Sequence, residues 1–398
     1  MIWIWTKEAM RTRDNRLVAE AMEHGAIGFV HVVPKKWTMR DVYEMKIAIA
    51  WREKMKTYNI PVVFVSHIPK ESEVWAYGHQ IERPKLVEWT QIVTGAGKPY
   101  QKFTPFYKKA KMYPFQVEEA SVTWRKQEKV EIPWSEVDVQ WPRWSKTVTL
   151  PLYREEDVLT YLETIDLSRY AEARDEIENE AVTRLSPYLS TGLVTSRTIL
   201  AFGLKEEAFV RQLLWREFAH MTAWAQPHVT ERPLYEKFQT FPWRDDEVQF
   251  TRWCRGETGY PIVDAAMREL WQTGYMHNRL RMITASFLTK HLRIDWRKGM
   301  KYFMETLVDA DEASNALNWQ WVAGVGVDSS PYFRIFNPLE QGKKYAASGT
   351  YIRTWCPKVQ DVHREQNDAI VMHDEARKHA LSHYEQWKQN NSNDSHII

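Results

Sequence analysis

Residues 314–338 read "SNALNWQWVAGVGVDSSPYFRIFNP", with Trp319 and Trp321 one residue apart, asparagines beside them and a Gly-rich bend behind. An indole in such a place can fill a core, stack on a flat partner such as a nucleic-acid base, or pass an electron. The chain holds 20 tryptophans in 398 residues, more than a core usually needs. A second concentration of chemistry lies just upstream, where Arg279, Arg281, Lys290, Arg293, Arg297, Lys298 and Lys301 run against Asp295. Such a run is most often a solvated face, but it also suits a phosphate backbone.

The bulk composition bounds what these residues can serve. A chain of this length exceeds one ordinary core, so two domains are expected. Hydrophobic residues at 44% and charged residues at 27% describe a soluble globular protein. No apolar run approaches membrane-spanning length, and the N-terminus lacks a basic-then-apolar secretory signature, so no membrane partner is expected. Cys254 and Cys356 have no metal-ligand spacing and imply no disulfide framework, which predicts no metal and fits a reducing cytoplasm. A net charge of +2 confines any nucleic-acid footprint to a local patch.

The elements that position these residues fall into two halves. Ile2 to Trp5 is a short apolar run, and an amphipathic stretch from Asp14 to His24 stops at Gly25. "AIGFVHVV" (26–33) reads as a buried strand, 39–58 as a helix with a Val42, Met45, Ile49, Met55 stripe, and "IPVVFVSH" (60–67) as a third strand. Strand–helix–strand–helix–strand predicts a parallel, doubly wound, Rossmann-like sheet. The dinucleotide fingerprint G-x-G-x-x-G is missing after the first strand. From 71 to 151 the signals blur around "GAGKP", "YPF", "IPW" and "QWPRW". Beyond Glu155 every periodic stretch is helical. The domains are therefore drawn as 1–115 (α/β), 116–154 (connector), 155–385 (all-α) and 386–398 (flexible tail).

The helical half carries a set of ordered motifs: "TRLSPYLSTG" (183–192), "WREF" (215–218), "GYPIVDAAMREL" (259–270), "MHNRLRMITASFLTK" (276–290), "IDWRKG", "DADEASNALNWQW" and "PYFRIFNPLEQGKKY". Together, over roughly 170–359, they closely resemble the DNA photolyase/cryptochrome family, nearest its bacterial cyclobutane pyrimidine dimer photolyases. The resemblance implies one FAD per chain, bent into a U at the bottom of a cavity in the all-α domain. Thr183, Arg184, Leu185 and Ser186 lead into a helix start that offers hydroxyls and free N–H groups to pyrophosphate, with Tyr170 beside the same phosphates. Arg216, Arg281, Asp309 and Asp311 match positions around isoalloxazine and ribose, and Asn315 matches the residue facing flavin N5.

The same resemblance divides the tryptophans. Trp319, Trp296 and Trp243 match a relay that carries an electron from the surface to the photoexcited flavin. Trp321 and Trp215 match positions at the cavity mouth where flipped bases stack, each worth roughly 1–3 kcal/mol. Asn278, Arg279 and Met282 match substrate contacts flanked by the basic run, and Arg174 and Gln341 match contacts along the DNA strand. The remaining tryptophans read as packing.

Two departures shape the expected function. The pyrophosphate motif begins at Thr183, whereas the family spends more than two hundred residues before it. "WTKEAMRTRDN" (5–15) reduces the family's arginine-rich first pattern, although "QIVTGAGKPYQKFTPFYK" (91–108) keeps a later loop. A strand–helix unit is thus expected to be missing between His67 and Gln91, which argues against a second, antenna chromophore. Gln212 stands where the cyclobutane-repairing members carry glutamate; it keeps the shape and a neutral donor but has no proton to give. The leading expectation is a monomeric light-driven DNA repair lyase acting on damaged DNA. The alternatives are a cryptochrome-type photoreceptor, against which stands the lack of a long regulatory tail, or a photolyase for a different lesion.

Overall fold

Three apolar runs form the expected parallel strands β1 (Ile2–Trp5), β2 (Ile27–Val32) and β3 (Val62–Val65), joined by α1 (Arg16–Glu23) and α2 (Met39–Lys56). These elements come from a computed structural model that describes residues 1–68, 72–130, 132–147, 152–179, 181–329 and 331–392. Asn15 caps α1, and Thr38 with Asp41 forms a reciprocal capping box on α2. The register sets Ile4 opposite Phe29 and Val30 opposite Val63.

Alternate side chains enter different cores. Ile4, Ile27, Phe29, Val62 and Phe64 pack with Leu17, Val18, Tyr43 and Trp51 of the two helices. Trp3, Val30, Val63 and Val65 form a separate cluster on the other side. No described helix joins that cluster, which corrects the doubly wound expectation. The two crossovers step in the same direction between neighbouring strands, and right-handed crossovers of that kind fall on one face. The connector covers the other face instead: Trp134 lies 4.5 Å from Trp3 between ring centroids, and the Val137 N–H donates to the Phe64 carbonyl. A fourth strand, β4 (Val74–Trp75), pairs parallel with β1, giving the order β3-β2-β1-β4. The region expected to have lost a strand–helix unit keeps this two-residue strand and, among its described residues, no helix.

The remaining regular structure among the described residues is helical. It comprises α3 (Phe103–Ala110), α4 (Glu155–Thr164), α5 (Tyr170–Ala173), α6 (Ser186–Ser190), α7 (Ser196–Ala201), α8 (Glu207–Ala225), α9 (Glu247–Arg255), α10 (Pro261–Thr273), α11 (Asn278–Ser286), α12 (Trp296–Thr306), α13 (Glu312–Ala323), α14 (Pro338–Tyr345), α15 (Thr350–Trp355) and α16 (His373–Ser392). A single π turn, Phe287–His291, follows α11. The core begun in the sheet continues through α8, whereas α9 to α16 build a second one. α13 contributes Leu317 to the first and Trp319 to the second, so it lies on the seam.

The last helix corrects the expected tail. α16 continues to Ser392 because Trp387 is buried, stacked on Phe238 at 4.9 Å, while Tyr384 stacks on Tyr332 at 4.3 Å. Residues 393–398 of that tail lie outside the described ones. Among the described residues no helix is long and apolar enough to cross a membrane, and no cluster of His, Cys, Asp and Glu is arranged to hold a metal.

Candidate functional site

A cavity of about 450 Å³ opens at the seam between α8, α11 and α13. α8 faces it with Gln212, Trp215, Arg216 and Ala219, a spacing of i, i+3, i+4, i+7 that forms one helical stripe. α11 adds Asn278, Arg279, Arg281 and Met282, and the α13 region adds Asp311, Ser314, Asn318 and Trp321 by the same logic. Tyr170, Arg174, Thr183, Arg184, Leu185, Ser186 and Asp309 complete the predicted lining. Of the expected contacts, only Asn315, Gln341 and the three relay tryptophans stand outside this wall.

Asp311 is the electrostatic centre. It caps α13 by accepting the Ser314 N–H at 2.9 Å, where the helix dipole favours a negative charge. His220 Nε2 lies 2.9 Å from one carboxylate oxygen and 3.1 Å from the other, and Arg216 lies at 3.3 Å. Burial opposes its ionisation, yet the neighbouring His220 and Arg216 and the Ser314 N–H hold its carboxyl well below the usual range. Asp309 pairs with Arg281 at 2.8 Å through one oxygen, while its Oδ1 is buried without a partner in the protein. That is a strong acceptor aimed at something the protein does not supply.

The remaining edges are held with similar economy of contacts. Arg184 takes φ 46°, a left-handed backbone that few non-glycine residues adopt and that collects at functional sites. Its guanidinium lies 5.1 Å from the Tyr275 ring centroid, with Arg281 at 5.8 Å from the same ring. Arg279 is clasped between Asp175, at 2.5 Å, and the Tyr345 ring, at 4.5 Å, leaving Nε unpartnered. Asn315 donates its amide to the Met300 carbonyl at 2.9 Å, so its own oxygen remains free to accept. It lines a smaller hollow of about 80 Å³ that shares Arg281, Asp309 and Asp311 with the main cavity. Gln341 is half-buried on α14, away from the wall.

α13 separates the two uses of tryptophan. Residues two apart on a helix point about 200° from each other, so Trp321 faces the cavity while Trp319 is turned into the second core. Between them Gln320 is locked, donating to Val229 and Arg232 carbonyls and accepting the Leu234 N–H. Trp319 meets Phe303 at 5.0 Å and Trp253 at 6.2 Å. It also sits so close to Gly299 that a Cβ there would fall 2.2 Å from its ring, so the approach of α12 requires glycine. Trp296 is buried in the same cluster, and half-buried Trp243 packs against it, 4.5 Å from Phe241.

Several expectations change. Lys290 is no surface phosphate contact: it is buried, donates to the Ala323 carbonyl at 2.7 Å and lies over Tyr332. Burial drives its pKa well down. Lys290 thus ties down the buried C-terminal end of α13 rather than extending a basic face. Arg297 is spent on Asp295, and Lys298 on Asp245 and Glu247, so the run is no uniform basic stripe. Trp224 and Trp271, read as packing, are 59% and 62% exposed. Neither His220 nor His277 is among the contacts expected from the sequence. His220 sits one turn beyond Arg216, a spacing that could have found it. His277 caps α11, a role for which histidine is not among the preferred residues.

Residues 209–391 match the family described as the FAD binding domain of DNA photolyase. A deoxyribodipyrimidine photo-lyase of Agrobacterium fabrum is 42% identical over 308 residues, which cover 70% of this chain and 62% of that relative. One from Salmonella typhimurium is 37% identical over 424 residues, covering 90% of this chain and 89% of the relative. The crystal structure of a bacterial class III photolyase from Agrobacterium tumefaciens superposes with a TM-score of 0.83 at 31% identity, covering 98% of each chain. An archaeal photolyase from Sulfolobus tokodaii, solved with two FAD molecules, shares the fold with a TM-score of 0.77 at 23% identity, covering 97% of this chain and all of that one.

Proposed function

The chain belongs to the DNA photolyase family, and on that premise we propose that it binds FAD in the seam cavity and is a light-driven carbon–carbon lyase for cyclobutane pyrimidine dimers in DNA. The observation that carries this reading is the unpartnered Asp309 Oδ1 beside the Arg281 guanidinium, within a cavity that also gathers Asp311, Arg216 and the 183–186 segment. A flavin and its ribose offer donors for that oxygen and acceptors for the guanidinium groups, so the donor set suits the group. When bound, reduced FAD would supply a light-released electron to the dimer and take it back once the ring bonds have split.

The protein's own residues bind, orient and exclude water. Asp311, ionised between His220 and Arg216, sets a fixed negative charge at the start of α13. Asn315 presents an oxygen because Met300 holds its amide. At the mouth, Trp215 and Trp321 supply stacking faces for flipped bases, and Gln212 supplies an amide to a pyrimidine carbonyl. Among the described residues the Gln212 amide donates to Ala208 O of its own helix at 3.3 Å, so it is weakly committed. Trp319, Trp296 and Trp243 are the side chains that would pass an electron to the flavin, with half-buried Trp243 the outermost.

Gln212 is also what favours a second reading. A neutral amide where repair of this dimer uses an acid suits a different pyrimidine lesion or a photoreceptor. One experiment divides them. The purified protein, reduced and illuminated with an oligonucleotide carrying one cyclobutane dimer, is expected to restore the intact pyrimidines. No loss of dimer under light that bleaches and restores the flavin spectrum would transfer the assignment to another lesion or to signalling.

A further inference from the structure

The α/β domain reaches the back of the seam cavity's wall through a side chain of α2. Arg40, in the first turn of α2, is mostly buried and fans out over three partners. Its Nε donates to Glu44 at 2.7 Å, one terminal nitrogen to the Ser190 carbonyl at 2.9 Å, and the other to the Ala310 carbonyl. Ser190 lies in the cavity wall at the end of α6, and Ala310 stands between the two carboxylates Asp309 and Asp311. The contact is a dock rather than a stray bond. Met39 and Val308 bury each other beside it, and α2 packs along α12.

We propose that Arg40 is a positioning residue of the flavin site, fixing the 309–311 segment and the Ser190 wall relative to one another from the neighbouring domain. The planar fork of a guanidinium can satisfy two carbonyls at a set spacing, which an ammonium cannot. Losing it leaves two buried carbonyls short of a donor, and each such loss is expensive. Glu44 and Asp311 also keep the guanidinium charged against its burial. A permanent positive charge therefore stands behind Asp311, independent of pH.

The inference rests on the flavin reading, and its test separates the two. Hydrogen exchange is measured on flavin-free wild type, Arg40→Met and Arg40→Lys, alongside the FAD dissociation constant and the visible circular dichroism of bound FAD. Arg40→Met should raise exchange in residues 309–315 by about tenfold, the scale of one lost charge-assisted bond. Exchange in β1 and β2 should stay unchanged. FAD affinity should fall and the flavin dichroism should change shape, with Arg40→Lys intermediate in both. Unchanged exchange and dichroism, or loosening spread evenly over both domains, would overturn the positioning role. If wild type takes up no FAD, the flavin reading fails while the exchange data still decide whether Arg40 orders the 309–311 segment.

Discussion

The indole of Trp215 lies flat on the ring of Phe103, with centroids 3.7 Å apart and planes 9° from parallel. Phe103 is fully buried on α3, and Phe106 and Phe218 pack around it. One face of the Trp215 ring is therefore occupied from within, while the residue still lines the cavity. A stacking platform works best when its plane is fixed before the base arrives, because no ordering entropy is then lost on binding.

Phe103→Leu should keep the core filled but free the indole to tilt. Lesion binding is expected to weaken by about 1 kcal/mol, the scale of an aromatic pair, with FAD content unchanged. Trp215→Ala and Trp321→Ala should each cost roughly 1–3 kcal/mol on dimer-containing DNA. Binding to undamaged DNA, dominated by phosphate contacts, should change far less in all three. Equal losses on both DNAs would make the pair a packing feature.

Gln212→Glu tests the departure from the repairing pattern. The amide is only weakly tied to Ala208, so a carboxyl can occupy the same position on the cavity stripe. A protonated carboxyl donates a stronger hydrogen bond than an amide N–H and can share its proton once the dimer has gained charge, in a short O–H···O⁻ bond. Repaired dimers per absorbed photon should rise with little change in affinity, as for any interaction that strengthens after the ground state. The comparison uses one reduced preparation of each protein.

Trp319→Phe should block light-driven reduction of oxidised flavin and leave repair by already reduced protein nearly intact. Trp319 is buried, and its ring neighbours are Phe303 and Trp253. Normal photoreduction in the mutant would instead direct the path through other rings, with Trp253→Phe the next variant to test.

What was legible in the sequence follows from how local each feature is. The strands, α2 and its stripe follow from short-range periodicity, and the cavity stripe on α8 from 3.6-residue spacing. The face of the sheet covered by Trp134 was not legible, because it joins residues more than a hundred positions apart. Lys290 misled for a related reason: a lysine in a basic run looks solvated until a carbonyl from another helix is found to hold it. α16 hid its length because a polar-looking end is held by Trp387 and Tyr384, whose partners Phe238 and Tyr332 come from distant segments of the chain.

His277 gives the site a pH limit. Its Nδ1 accepts the Arg279 N–H at 3.1 Å, capping the helix that carries Asn278, Arg279, Arg281 and Met282, and its Nε2 bonds the Arg174 carbonyl at 3.1 Å. An acceptor at one nitrogen and a carbonyl partner at the other require the neutral ring with its proton on Nε2. Burial holds its pKa down at about 4; Asp175 and the Arg174 carbonyl raise it, and Arg281 and Arg279 oppose a second proton. The unfolded chain takes up a proton near pH 6.5 that the folded one refuses until about pH 4. Stability is therefore fully present above pH 6.5 and falls as the pH drops toward 4, by about 1.4 kcal/mol per pH unit for this group. Buried His31 and His291, held down to about 4 and about 3 by burial, add to the same slope. Asparagine can cap a helix without titrating, so His277→Asn should flatten the slope by about one proton's worth while His31 and His291 keep the rest. Chemical denaturation at pH 7, 6, 5 and 4.5 on both proteins measures it. FAD affinity followed over the same range should show the mutant losing less of its cofactor than wild type as the pH falls. An unchanged slope would mean that His277 stays neutral in neither state or both, and the cap would then carry no pH dependence.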